Sequence, residues 1–206
     1  MRPFIVRLPV TVIAALAAAA MSPHVASASL LDGCPDADAS QPFLPWGDQA
    51  RYVAAPDGGF EHGGGVWDLQ AGATVVAGNE TFQVGGAGDS QALALPDGSD
   101  ATTAPICVGL DSPTLRLFVR NGGDPDSSLR VSVIVQTLLG PLTLPIGTLG
   151  ATDSWHPTPS LLLLANLTAL PIVNDGTATI RLRFSPRGSG GDWRIDDVYV
   201  DPWKGR

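Results

Sequence analysis

Two adjacent carboxylates, Asp196 and Asp197, sit inside the apolar run Trp193-Arg194-Ile195-Asp196-Asp197-Val198-Tyr199-Val200. Like charges side by side in such a run repel each other and lose hydration, so the pattern asks for a cationic partner. That partner is either a metal ion or an arginine such as Arg194. The flanking residues alternate in opposite phase: Trp193 and Ile195 share one parity, Val198 and Val200 the other, and the shift falls on the Asp pair. This predicts a β-bulge carrying both carboxylates. Neighbouring residues of one strand do not readily place carboxyls on opposite sides of a sugar bond, ~5–9.5 Å apart, so the pair is not read as a glycosidase dyad. Outside the N-terminal leader the histidines are His62 and His156, and neither accompanies a Gly-x-Ser-x-Gly or a zinc-like spacing. The chain is therefore read as not an enzyme.

The elements that must hold this pair read as β-strands. Glu, Lys and Met are scarce while Gly and Pro are abundant: Glu61 and Glu80 are the glutamates among 20 acidic residues, and Lys204 is the lysine among 12 basic ones. That removes much of the helix-forming vocabulary and supplies turns. The Arg bias, with many Ala and Gly, also fits the codon usage of a GC-rich bacterial genome. Strict alternation marks strands over 115–120, 129–136 and 178–184, and the first two, joined across Asn121-Gly122-Gly123-Asp124-Pro125, read as a hairpin. Shorter strands are expected over 51–54, 66–69, 74–76, 81–84, 91–95 and 161–164. The fold class is all-β, an antiparallel two-sheet jelly-roll sandwich.

Arg2 and Arg7, the apolar stretch Val10 to Ala20 and the small residues Ala26-Ser27-Ala28 have the order of a secretory leader. The expected organisation is a signal peptide over 1–28, an N-terminal arm over 29–50 and one domain over 51–206 of an exported protein. The apolar stretch is shorter than the ~20 residues of a membrane-crossing helix, and no membrane span is expected. Export favours pairing Cys34 with Cys107 over leaving two buried thiols. Closing so long a loop would stabilise the fold by roughly 4 kcal/mol in the chain-entropy model. A formal charge of -8 argues against nucleic acid or anionic lipid as partner.

Several short motifs then occur in a telling order. Pro56-Asp57-Gly58-Gly59-Phe60-Glu61 with Gly65-Val66-Trp67, then Asp89-Ser90-Gln91-Ala92-Leu93, then Ser154-Trp155, and finally Trp193-Arg194-Ile195-Asp196-Asp197-Val198 span most of residues 56–201. This series resembles the jelly-roll, galactose-binding-like carbohydrate-binding modules of families 4, 9 and 22. The ending Trp193 to Trp203 also resembles that of a group of exported bacterial proteins. The resemblance implies a structural Ca²⁺ held by Glu61 with Asp196, Asp197 or both, backbone carbonyls near Asp57 and Asp89 completing the shell. Such a hard cation takes six to eight oxygen ligands. It also implies sugar binding, for which the polar strand faces offer Arg116, Arg120, Gln136 and Arg181, with Trp203 and Tyr52 as aromatic contacts. Trp67, Trp155 and Trp193 match positions that pack the core. The implied function is an exported, non-catalytic binding module for extracellular or cell-wall polysaccharide. The alternative is a structural or adhesive envelope protein that makes protein contacts and takes no glycan.

Overall fold

The computed structural model describes residues 38–109, 114–137, 139–163 and 177–201. Its strands in chain order are β1 (Val53–Ala54), β2 (Asp68–Gln70), β3 (Thr74–Ala77), β4 (Gln91–Pro96), β5 (Asp100–Thr102), β6 (Ile106–Gly109) and β7 (Thr114–Asn121). They continue as β8 (Ser128–Thr137), β9 (Gly140–Leu149), β10 (His156–Pro157), β11 (Leu161–Leu162), β12 (Thr177–Arg187) and β13 (Asp192–Val200). One sheet runs β10-β7-β13-β4-β3, with β1 on β13 and β11 on β7; the other runs β2-β5-β12-β8-β9, with β6 on β12. The architecture is the expected all-β, two-sheet antiparallel sandwich.

The core lies between the sheets. Leu93, Leu95, Leu115, Leu117 and Val119 of the first sheet meet Leu129, Val131, Val133, Ile180, Leu182 and Phe184 of the second. Trp193, Ile195, Val198 and Val200 all belong to this core despite their opposite parities. The reason is a bulge in β13, where the register against β7 shifts between Asp196 and Tyr199. One extra residue in a strand returns the following side chains to the same face. Trp67 stacks on Phe184 and donates its indole N–H to the Pro56 carbonyl at 2.8 Å; Trp193 donates to Ser127 Oγ at 2.8 Å. Each buried indole is thus satisfied.

Two expectations need correction. Residues 115–120 and 129–136 do form strands, but β7 pairs with β10, β11 and β13 while β8 pairs with β12 and β9, so they lie in opposite sheets and form no hairpin. Alternation fixes which face of a strand is buried; it does not name the neighbour. Residues 81–84 form turns in place of a strand. There the amides of Phe82 and Val84 are taken by the Glu80 carboxylate, leaving no ladder to join. The structure adds β9, whose Pro141 and Pro145 read as breakers; it lies at the edge of its sheet, where a strand tolerates proline.

A second apolar cluster covers the outer face of the first sheet. Phe43 and Tyr52, from the segment before β1, pack there against Phe118 and Tyr199. Arg116 clamps this segment: its guanidinium lies 4.3 Å from the Phe43 ring centroid, 2.7 Å from Asp48 Oδ2, and donates to the Thr158 carbonyl at 2.9 Å.

Candidate metal centre and its aromatic rim

The bulge sets Asp197 in the left-handed region, φ 48°, a backbone state that an Asp tolerates better than most residues. The distorted turn is held from the other side of the chain, with Ala55 N–H donating to the Val198 carbonyl at 2.8 Å and Val198 N–H to that of Gly58 at 3.1 Å. Opposite it lies the loop 78–90 between β3 and β4, closed by Gly78 N–H on the Ser90 carbonyl at 2.7 Å. Glu80 is 0 % exposed at the base of this loop. Its N–H donates to Asp196 Oδ2 at 2.9 Å, and its carboxylate accepts from Phe82 N–H and, at 2.5 Å, Val84 N–H. Carboxyl oxygens of Glu80, Asp89 and Asp197 come within 4.8 Å of one another.

Among the described residues no salt bridge to a base reaches these acids; Arg116 pairs with Asp48, and His62 Nδ1 lies 3.3 Å from Asp57 Oδ1, both away from the cluster. Burial, then the charges of Asp89 and Glu80, push the Asp197 carboxyl up to about 7, against the Gly85 N–H that favours its ionised form. Burial, then the Glu61 carboxylate beside it and the charge of Glu80, raise Asp89 to about 6. Burial raises Asp196 to about 9, with the charges of Asp197 and Asp89 adding to it, although the N–H groups of Glu80 and Asp197 pull the other way. The phenol of Tyr199 is raised as well, by burial and then by the charge of Asp197. Desolvation and like charge thus act in the same direction across the cluster.

The donor set fits a hard divalent cation. All three convergent groups offer carboxylate oxygen and none offers sulfur or imidazole. Asp197 Oδ2 and Asp89 Oδ2 are buried with no hydrogen-bond partner among the described residues, in residues 3 % and 9 % exposed. Two glycines leave space around them. A Cβ on Gly85 would stand 2.9 Å from Asp89 Oδ2 and 3.1 Å from Asp197 Oδ1; one on Gly59 would stand 3.4 Å from Asp197 Oδ1 and 3.6 Å from Asp89 Oδ1.

The residues singled out from sequence fall in several places. Asp197 is in the cluster. Asp196 adjoins it but accepts from Glu80 and Asp197 N–H, the latter at 2.8 Å. Glu61 accepts from the N–H groups of Ser90 and Gln91 at 2.7 Å each, which outweigh burial and hold its carboxyl below its ordinary range. Arg116 is buried, 8 % exposed, under the N-terminal segment it clamps. Tyr52 is buried there too, its hydroxyl donating to Asp48 Oδ2 at 2.8 Å. Arg120 lies half-buried on the outer face of the first sheet, whereas Gln136 and Arg181 stand exposed on the second. Cys107 lies on β6, opposite Thr179 of β12. Cys34, Trp203 and the expected leader over 1–28 lie outside the described residues.

Sequence reasoning missed Glu80 and the side chain of Asp89 as candidate ligands. It also missed Phe82, the exposed aromatic side chain of the described residues at 46 %. Phe82 meets Trp46 edge-on at 4.9 Å between centroids, and both rings rest on buried Phe118, at 5.6 and 5.3 Å. Val84, on the same loop, packs into this outer cluster with half-buried Trp155. The loop that supplies Glu80 and Asp89 to the cluster thus supplies Phe82 to an aromatic rim. A cue was present: Glu80 is one of two glutamates, placed between the turn Gly78-Asn79 and Phe82.

No protein-family model matches the chain, and no curated protein matches it. Solved structures do. The family 22 carbohydrate-binding and GH10 modules of Clostridium thermocellum endo-1,4-β-D-xylanase 10B, complexed with xylohexaose, align with TM-score 0.52 and 15% identity, over 77% of this chain and 29% of that one. A xylan-binding domain of carbohydrate-binding module family 22 aligns with TM-score 0.47 and 13% identity, over 77% of this chain and 99% of that one. A xylan-binding module of family 15 aligns with TM-score 0.48 and 11% identity, over 76% and 99%. This chain spans less than a third of the xylanase structure. The likeness to the xylanase structure shows the fold alone, a jelly-roll β-sandwich.

Proposed function

We propose that this chain is an exported, non-catalytic module that binds extracellular or cell-wall polysaccharide and is braced by a structural calcium ion. The observation that carries the binding reading is the Trp46–Phe82 edge, an aromatic surface left open on the outer face of the first sheet. Sugar C–H faces pack on such rings while nearby polar groups read the hydroxyls. The xylanase structure of like fold is complexed with xylohexaose, which points to the same ligand class.

Glu80, Asp89 and Asp197 would hold the calcium ion. When bound, the ion supplies positive charge to a buried acidic cluster and ties β13 to the loop 78–90. Export through the leader and a Cys34–Cys107 disulfide complete the reading. The test is co-sedimentation of the mature protein with insoluble polysaccharides and bacterial cell walls, in calcium and in chelator. Saturable retention on a polymer, lost in Phe82→Ala, is expected. Retention that is the same in Phe82→Ala and Trp46→Ala would remove the rim from the site. The adhesive reading draws on exposed Leu139 and Leu142 by the β8–β9 turn. It would gain if no polymer were retained and crosslinking instead captured a protein at that turn.

A further inference from the structure

Arg120 and Arg194 face each other directly across β7 and β13 on the outer face of the first sheet, and among the described residues neither side chain has an ion-pair or hydrogen-bond partner. Like charges opposed in this way destabilise a sheet pair, so the arrangement calls for an anion. Each Nε is buried without a partner, so the hydrogen-bonding capacity of the two guanidinium groups is largely unspent. The surroundings leave room. The same register row continues through Ala94 of β4 to Thr74 of β3, and Gly78 at the edge approaches Arg194, whose Nη1 would lie 3.8 Å from a Cβ placed there.

The next row on this face is Val76, Ala92, Asp196, Phe118 and Pro157, and Phe118 is the floor of the aromatic rim. Rows two residues apart are separated by about 7 Å. A single polymer running along the strands would therefore touch the rings with one sugar and the guanidinium pair with a neighbouring one. Two acids lie near the arginines without pairing with them: Asp196 is turned to the amides of Glu80 and Asp197, and Asp192, whose Oδ2 like Arg120 Nη2 would stand 3.2 Å from a Cβ on Gly122, makes no ion pair with Arg120.

We infer that Arg120 and Arg194 form an anion subsite beside the aromatic rim, and that the ligand is an acidic polysaccharide whose uronic carboxylate the two guanidinium groups receive. This rests on the polysaccharide reading and narrows it. Guanidinium matches a carboxylate through two parallel N–H donors, which an ammonium does not reproduce.

The test uses the mature protein with sodium polygalacturonate and glucuronoxylan, each beside its methyl ester, which keeps the backbone and removes the charge. Affinity should fall by about tenfold or more on esterification and in R120Q and R194Q, should be partly kept in R194K, and should weaken as salt is raised. The Gln variants should fold normally, with unchanged or higher melting temperature, because one of two opposed charges is gone. Equal affinity for acid and ester, or no effect of either Arg substitution, overturns the anion subsite while leaving the polysaccharide reading intact. Retention of neutral polymers only does the same. No retention of any polymer, acidic or neutral, overturns both.

Discussion

Replacing Gly85 by alanine probes the proposed cation site with one methyl group. The new Cβ would stand 2.9 Å from Asp89 Oδ2, 3.2 Å from Asp89 Cγ and 3.1 Å from Asp197 Oδ1. Carboxylates held apart by a methyl cannot both keep a Ca²⁺–O distance of about 2.3–2.6 Å. For the wild-type protein at a calcium concentration a hundredfold above Kd, linkage gives about 2.7 kcal/mol of stabilisation. At about 2–4 °C per kcal/mol for a chain of this size, that is a rise in Tm of about 5–11 °C. Gly85→Ala should reduce the rise to below about 2 °C, a loss of most of the linked stabilisation. Gly88→Ala is the control: it lies in the same loop with nothing within 4 Å of its Cβ, and neither glycine has a positive φ. The assay is thermal unfolding followed by circular dichroism in calcium and in chelator. A full calcium response in Gly85→Ala, equal to that of Gly88→Ala, would refute the placement of the ion. No response in the wild type would refute the ion itself.

Other consequences follow from the same geometry. In chelator, stability should fall as pH rises from about 4 to 7, because the unfolded chain releases protons near the ordinary carboxylate pKa while Asp89 and Asp197, raised to about 6 and about 7, still hold theirs; calcium should therefore raise Tm more at pH 8 than at pH 5, and an equal rise would count against these acids. Asp48 is opposite in sign: burial works upward, but the Ala50 N–H and the Arg116 and Tyr52 contacts prevail and lower its pKa, so its contribution is present above the ordinary carboxylate range and lost as pH falls through the lowered value. Asp48→Asn should cost about 2–3 kcal/mol by urea unfolding, since it leaves the buried Arg116 charge unpaired. Glu80→Gln should lower stability in chelator, because an amide has one oxygen for the amides of Phe82 and Val84, and should also blunt the calcium response. Chelation of the wild type should change tryptophan fluorescence through the Trp46–Phe82 contact, and that change should shrink in Phe82→Ala.

The parts of the fold that follow from side-chain period were legible in the sequence, and those that follow from pairing were not. The bulge at Asp196-Asp197 was readable because Trp193, Ile195, Val198 and Val200 must all reach one core. The sheet change between β7 and β8 was not, because either partner would bury the same faces of both strands. The candidate site divided in the same way. Asp197 announced itself by being charged in an apolar strand. Glu80 and Asp89 sit in a polar loop, where acids are ordinary, and their burial comes from the folding of that loop onto the bulge. The Trp46–Phe82 rim joins residues far apart in the chain, each unremarkable alone.

Both additions to the first sheet, the segment before β1 and the loop 78–90, lie on its outer face, and each is fastened by charge in a different manner. The first is fastened within the chain, by Asp48 on Arg116 and Arg116 on Phe43. The second is held within the chain by Glu80 N–H on Asp196 and brings in acids that pair with no base among the described residues, which the proposed calcium ion would hold. Trp46 belongs to the first and Phe82 to the second, and both stand on Phe118 of the sheet itself. With the proposed ion in place, the rim is assembled from a ring fixed by the chain and one whose position the ion sets. Burying Asp89, Asp196 and Asp197 together works against folding in every pH range where they ionise. A loop whose sole task was to close β3 onto β4 would be more stable with apolar residues there. The arrangement makes physical sense where a cation is dependably present, as the proposed export would place it. In that setting the buried acids convert the ion's binding energy into the position of Phe82, beside the arginine pair that the same sheet presents.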